Sequence, residues 1–184
     1  SEERVFLDPN TLSEDGTVTA SLGGASDDGK YIAVLKSAAG SDWQEIRVMD
    51  IETGKELDDV LKWVKFSGTS WVDDGFYYSR YPEPAGRAFR SYNTFHSVYF
   101  HKLGTLQSED DLVYIDKKEP NRYHFAWATE DNNYLVLNVS TGTDGNSLLI
   151  KDLRAEGSDW RILVDGFTDH SGVVGSVEGK ILLL

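Results

Sequence analysis

Asp27-Asp28-Gly29-Lys30-Tyr31 comes back as Asp73-Asp74-Gly75-Phe76-Tyr77, and more loosely as Glu130-Asp131-Asn132-Asn133-Tyr134 and Glu178-Gly179-Lys180-Ile181. In each copy a small or apolar residue leads into an acidic turn and then a β-rich run. Asp-Gly supplies the positive φ angles that a tight hairpin demands, because glycine carries no Cβ and Asp tolerates the left-handed region. The copies recur at intervals of about 45 to 57 residues, the period of propeller blades and similar arrays rather than of one closed core.

Each turn feeds an apolar strand, such as Tyr31-Ile32-Ala33-Val34-Leu35 or Tyr134-Leu135-Val136-Leu137. Further strands follow in every unit: Gln44 to Asp50 runs into Ile51-Glu52-Thr53-Gly54-Lys55, Ser97 to His101 into Leu103-Gly104-Thr105, and Ser147 to Leu153 into Ala155-Glu156-Gly157-Ser158. Each ends at a Gly-containing turn before another short strand. Four antiparallel strands per repeat of this length make a propeller blade. The predicted architecture is all-β, an arc of about four such blades. Residues 1–10 are expected to end a preceding blade, 11–57 and 58–116 to form one blade each, 117–165 a third, and 166–184 to begin the next. A loop at 79–96 is inserted in the second. Val5-Phe6-Leu7-Asp8-Pro9 reads as a last strand without partners, and the chain stops inside the apolar run Ile181-Leu182-Leu183-Leu184, so both ends are expected to be cuts through a longer array.

Across 184 residues, 40% are apolar, with five Trp, nine Tyr and eight Phe, so the chain folds around a core and is not disordered as a whole. The formal net charge of −13 argues against a nucleic-acid partner, which would need Lys and Arg to neutralise phosphates. No cysteine is present, so disulfides and thiolate chemistry are excluded. No apolar run reaches the roughly 18 residues that span a bilayer, and Ser1-Glu2-Glu3-Arg4 shows no signal-peptide core, so no membrane partner is expected. A soluble protein of either periplasm or cytoplasm fits, and the sequence does not choose.

Catalytic motifs are missing from these residues. A nucleophile elbow needs Gly-x-Ser-x-Gly; Gly68-Thr69-Ser70-Trp71-Val72 lacks the second glycine, and Gly175-Ser176-Val177-Glu178-Gly179 carries Val at its centre. There is no phosphate loop and no His-Glu-x-x-His zinc motif, and no metal or cofactor is called for. His96 and His101 are spaced for opposite faces of a strand, which argues for structural or surface roles rather than a shared metal. The carboxylates of Asp27, Asp28, Asp73, Asp74, Glu130 and Asp131 have a turn-forming reason to be where they are. The sequon Asn138-Val139-Ser140 falls at a strand end and reads as chance. Ser79-Arg80-Tyr81-Pro82-Glu83-Pro84-Ala85-Gly86-Arg87-Ala88-Phe89-Arg90 places prolines and three arginines in an acidic chain. It reads either as a solvated excursion or as a loop that faces a partner domain or an anionic group.

Several short motifs carry a resemblance to a known family. They are Phe6-Leu7-Asp8-Pro9-Asn10, Leu12-Ser13-Glu14-Asp15-Gly16-Thr17-Val18, Gly40-Ser41-Asp42-Trp43, Val64-Lys65-Phe66-Ser67, Phe76-Tyr77-Tyr78 with Tyr81-Pro82, and His101-Lys102-Leu103-Gly104-Thr105 leading to Gln107-Ser108-Glu109-Asp110. In this order they resemble the first half of the propeller domain of the prolyl oligopeptidases, a family of serine peptidases. The likeness covers most of the chain and thins after about residue 160. It implies a seven-bladed propeller inserted into an α/β-hydrolase domain that carries a Ser, Asp and His triad and cuts short peptides after proline. No triad segment lies in these residues, so the chain alone is expected to be inactive.

The resemblance also implies roles for named positions. Phe66 matches a phenylalanine lining the pocket for the residue upstream of proline, although on its own it reads as a core aromatic. The family's substrate-binding arginine falls on Ser140, and Thr143 stands where vertebrate enzymes have a pocket-lining cysteine. Arg80, Tyr81, Arg87 and Arg90 coincide with a loop at the propeller-hydrolase interface that gates access. The partners implied are short proline-containing peptides and the hydrolase domain of the same parent chain. The rival readings are a free-standing propeller that binds a protein or peptide without chemistry, and a propeller glycosidase, for which no paired acids stand outside turns. Sheet faces left bare at the ends of an open arc predict self-association.

Overall fold

The computed structural model describes residues 5–38, 40–84 and 93–184. Among the described residues thirteen strands follow one another. The first sheet is a meander of β1 (Val18–Ala25), β2 (Tyr31–Ala38), β3 (Gln44–Asp50), β4 (Glu56–Val72), β5 (Gly75–Arg80), β6 (Ser97–Lys102) and β7 (Asp111–Tyr114), paired antiparallel in chain order. A second meander holds β8 (Tyr123–Ala128), β9 (Tyr134–Ser140), β10 (Asn146–Asp152) and β11 (Arg161–Val164), and β12 (Val173–Val177) pairs with β13 (Lys180–Leu183). No helix among the described residues is long and apolar enough to cross a membrane.

Continuous apolar runs mark strands covered on both faces. Ala33, Val34 and Leu35 of β2 and Leu135, Val136 and Leu137 of β9 are all buried. One core gathers Ala33, Leu35, Ile46, Val48, Leu61, Val64, Trp71, Phe76 and Tyr78; a second gathers Val72, Tyr77, Val98, Leu135, Leu137 and Val139. Strand alternation divides β5 between them, Phe76 and Tyr78 to the first and Tyr77 to the second. The first strands of the units also touch directly. Gly24 N–H donates to Thr69 Oγ1 (2.8 Å), Trp71 Nε1–H to the Gly24 carbonyl (2.6 Å), and Ala128 N–H to Ser70 Oγ (2.9 Å).

The seam expected between residues 57 and 58 falls inside an unbroken strand. β4 pairs with β3 up to Val64 and with β5 from Val64 onward, so one strand closes the first four-stranded unit and opens the second. The strand expected at 5–9 is likewise absent. Asp8 instead folds a 3-10 turn over Pro9–Thr11, its carboxylate accepting Asn10 N–H (3.0 Å) and its carbonyl Thr11 N–H (3.0 Å).

The hairpin turns rank differently in space than in sequence. Ser26 Oγ donates to Asp28 Oδ1 (2.7 Å) and accepts Tyr31 N–H (2.9 Å), while Asp28 Oδ1 accepts Lys30 N–H (3.1 Å). Thr129, Asp131, Asn133 and Tyr134 repeat every one of these bonds. Gly29 (φ 69°) and Asn132 (φ 53°) hold the same left-handed place. The looser copy is thus the structural twin of the first, and the two turns meet where Asn132 Nδ2 donates to Asp27 Oδ2 (2.7 Å). The turn at 73–74 has the left-handed residue at Asp73 (φ 52°) instead, and Gly75 is there for space: a Cβ would lie 2.2 Å from the His101 carbonyl.

A polar network ties β4 to the segment after β6. Fully buried His101 sits between two carboxylates, Nδ1 to Asp110 Oδ1 (2.7 Å) and Nε2 to Asp59 Oδ1 (2.9 Å). Gly104 N–H also donates to Asp59 (2.7 Å), and Tyr78 donates its hydroxyl proton to Asp110 Oδ2 (2.5 Å). Gln107 then pairs its amide with both backbone groups of Lys62, as a strand would (3.0 Å each). A pocket of about 420 Å³ opens beside this network, lined by Tyr31, Leu57, Asp58, Asp59 and Leu103 to Leu106.

Candidate functional site

Where β4 passes from one unit to the next, two aromatic residues take left-handed conformations, Trp63 (φ 61°) and Phe66 (φ 54°). Such backbone costs on the order of 1–3 kcal/mol per residue and persists only where neighbours hold it. Here Tyr81 N–H donates to the Trp63 carbonyl (3.0 Å), His96 Nε2 to the Lys65 carbonyl (3.0 Å), and Ser79 N–H to Ser67 Oγ (2.8 Å). His96 is fully buried, and its Nδ1 accepts the backbone N–H of His124 (2.9 Å). That contact assigns the proton to Nε2, the tautomer able to reach Lys65. His124 returns the contact, its Nδ1 bonding the His96 carbonyl.

Burial holds His96 down at about 4, and burial also lowers His124. A histidine depressed in the fold stays neutral there while the unfolded chain takes up a proton, so stability is lost as pH falls from about 6.5 toward about 4. Denaturant midpoints measured across that window are expected to drop for the native sequence and to drop less for His96→Gln. Equal losses in both would assign the effect to other groups.

Aromatic rings surround the kink. Phe66 is 49% exposed and meets Tyr123 edge-on, centroids 5.7 Å apart. The His96 ring lies among Tyr81 (4.8 Å), Phe125 (5.4 Å) and Tyr123 (6.0 Å), and Trp43 stands edge-on to both Trp63 and Tyr81 (5.9 Å each). The Lys65 ammonium lies 5.2 Å from the Phe66 ring centre and 5.7 Å from that of Trp43, and pairs with Asp42 (3.1 Å). The arrangement offers an apolar, edge-rich surface with one cation beside it, suited to hold a small apolar side chain.

The sequence-derived candidates divide. Phe66 stands on the surface at the kink and is not a core aromatic. Tyr81 is buried beneath it against His96, and Ser140 is the cross-strand partner of Tyr123. Thr143 lies on an exposed loop whose carbonyl accepts from His170 Nε2 (3.0 Å). Arg80 pairs with Val64 at the kink through its backbone, but its side chain turns away. Its guanidinium stacks over Tyr99 at 4.0 Å, on the side of β5 that carries Tyr78, and its buried Nε has no hydrogen-bond partner among the described residues. Arg87 and Arg90 lie outside the described residues. Sequence reading did not single out Tyr123, His96, His124 or Lys65 as parts of this site. Lys65 and Trp43 at least sit inside quoted motifs, whereas nothing local marks His124. No His, Cys, Asp and Glu cluster able to hold a metal occurs among the described residues.

Residues 1–184 match the family described as prolyl oligopeptidase, N-terminal beta-propeller domain. A prolyl endopeptidase of Elizabethkingia meningoseptica is 43% identical over 182 residues, which cover 98% of this chain and 26% of that protein. Prolyl oligopeptidase A of Galerina marginata is 37% identical over 164 residues, 79% of this chain and 22% of that protein. Among solved structures, prolyl oligopeptidase B from Galerina marginata bound to a 35mer hydrolysis and macrocyclization substrate superposes with a TM-score of 0.87 at 29% identity, covering 96% of this chain and 27% of that one. The chain therefore spans about a quarter of the length of the relatives it matches.

Proposed function

The chain belongs to the prolyl oligopeptidase family, as its N-terminal β-propeller domain, and from that premise we propose that it is the substrate-gating, non-catalytic part of a serine peptidase that hydrolyses short peptides after proline. Bond cleavage belongs to an α/β-hydrolase domain outside these residues, and the propeller contributes exclusion and positioning. In this reading residues 18–64, 66–114 and 123–164 are successive blades and 173–183 begin another.

One observation carries the assignment of the site: a half-exposed phenylalanine is held in a costly backbone conformation by buried polar contacts. Phe66 lines the pocket for the residue upstream of proline, with Ser140 and Thr143 at its margin, and the loop from Arg80 and Tyr81 through Arg87 and Arg90 gates access. Phe66→Ala in the intact gene product is expected to raise KM for a proline-containing peptide about tenfold, the loss of roughly 1.4 kcal/mol of contact, with kcat little changed. Unaltered kinetics would remove Phe66 from the pocket. The activity itself is tested with a serine-directed fluorophosphonate. The gene product should be labelled and residues 1–184 alone should not; a gene product that resists labelling would overturn the peptidase reading in favour of a binding propeller.

A further inference from the structure

The kink in β4 exists because something outside the strand holds it, and the partner is a pair of buried histidines from elsewhere in the fold. His96 precedes β6 and His124 belongs to β8, so the Lys65 carbonyl is bonded to His96 of the second unit and through it is linked to the third. We propose that His96 is a positioning residue for the peptide pocket: its Nε2–H fixes the Lys65–Phe66 peptide plane and thereby the direction in which the Phe66 ring leaves the chain. This rests on the proposed role of Phe66.

The chemistry requires both ring nitrogens. Nδ1 must be a bare acceptor to take the His124 N–H, and the proton thereby placed on Nε2 is the one given to Lys65. A residue in relaxed extended backbone alternates its side chain with its neighbours, so a left-handed Phe66 that relaxed would turn its ring away from its edge-on contact with Tyr123. His96 itself lies beneath the surface: it is fully buried, with Tyr81, Tyr123 and Phe125 around it. Its influence on a bound peptide passes through Phe66.

The test uses the intact gene product and four variants, His96→Phe, His96→Gln, Phe66→Ala and the His96→Phe/Phe66→Ala pair. His96→Phe keeps an aromatic ring and removes both nitrogens; it is expected to raise KM for a proline-containing peptide by about fivefold to tenfold, with kcat within about twofold. His96→Gln retains a donor and an acceptor and should hold KM within about twofold of the native value. In the double variant the effect of His96→Phe should vanish, because no ring remains to be aimed. If Phe66→Ala raises KM and folded His96→Phe does not, or if the two effects multiply independently, the positioning role is wrong while the pocket stands. If Phe66→Ala leaves KM unchanged, the pocket reading falls and the positioning role with it. Should His96→Phe fail to fold, His96→Leu takes its place, alone and in the Phe66→Ala background: a rise in KM that vanishes with Phe66 supports the proposal, and native KM or an independent effect refutes it.

Discussion

Exchange of His101 for leucine is expected to lower the stability of the fold by about 3–5 kcal/mol, the cost of leaving buried charges without their partner. Asp59 and Asp110 would face each other across an apolar side chain, both out of water and both still held by Gly104 N–H and the Tyr78 hydroxyl. Urea titration followed through the tryptophan fluorescence measures the loss, and a change under about 1 kcal/mol would show that the carboxylates do not depend on the imidazolium. The pH dependence carries a sign. Burial pushes His101 down, but its bonds to Asp110 and Asp59 and their charges outweigh burial and leave it raised. Its stabilisation is thus fully present below the unfolded value of about 6.5 and is lost as pH climbs through the folded one, so the gap between native and variant should narrow in alkali.

Gly75→Ala is expected to be as damaging, for a steric reason. The added methyl would lie 2.2 Å from the His101 carbonyl and within 2.9 Å of two Phe100 ring carbons. The ring can turn, but the carbonyl belongs to β6, which pairs with β5 along its whole length from Gly75↔Lys102 to Arg80↔Ser97. Separating those strands would cost about 3 kcal/mol or more. Gly29→Ala is the control, since its Cβ meets nothing within 4 Å and only the left-handed φ of 69° opposes it, a penalty of about 1–2 kcal/mol. Thermal melts in which the two variants lose equal stability would refute the distinction.

That contrast shows what a sequence can carry. The repeat was legible because turn chemistry and apolar runs are local, and the buried central strands follow from them. Gly29 and Gly75 look equivalent as text, yet one supplies a dihedral angle and the other supplies room for the His101 carbonyl of a strand that arrives later in the chain. The kinship of the first and third turns rests on the hydroxyls of Ser26 and Thr129, which lie just ahead of the matched windows. The passage of β4 between units was hidden, because the Gly54 turn resembles a unit's end and nothing at 62–66 is a turn former. A left-handed Trp63 or Phe66 contradicts local preference, so only tertiary contacts reveal it. Phe66 lies edge-on to Tyr123, the strand partner of Ser140, and Tyr81 is buried against His96. The Arg80 side chain is turned to the other face, since strand alternation puts it with Phe76 and Tyr78.

Because β4 is one unbroken strand that pairs with β3 up to Val64 and with β5 from Val64 on, and because Leu61 and Val64 share a core with Trp71 and Phe76, neither unit can melt alone without loosening the strand and the core of the other. Amide hydrogen exchange should then find residues 31–50 and 75–102 opening as one cooperative block, with the second meander, which meets it through the side chains of the second core and shares no strand with it, opening separately. A repeat array is ordinarily a row of separable modules; here two of them are spliced into a single unit of unfolding, and an insertion or cut tolerated between the others would not be tolerated at this join.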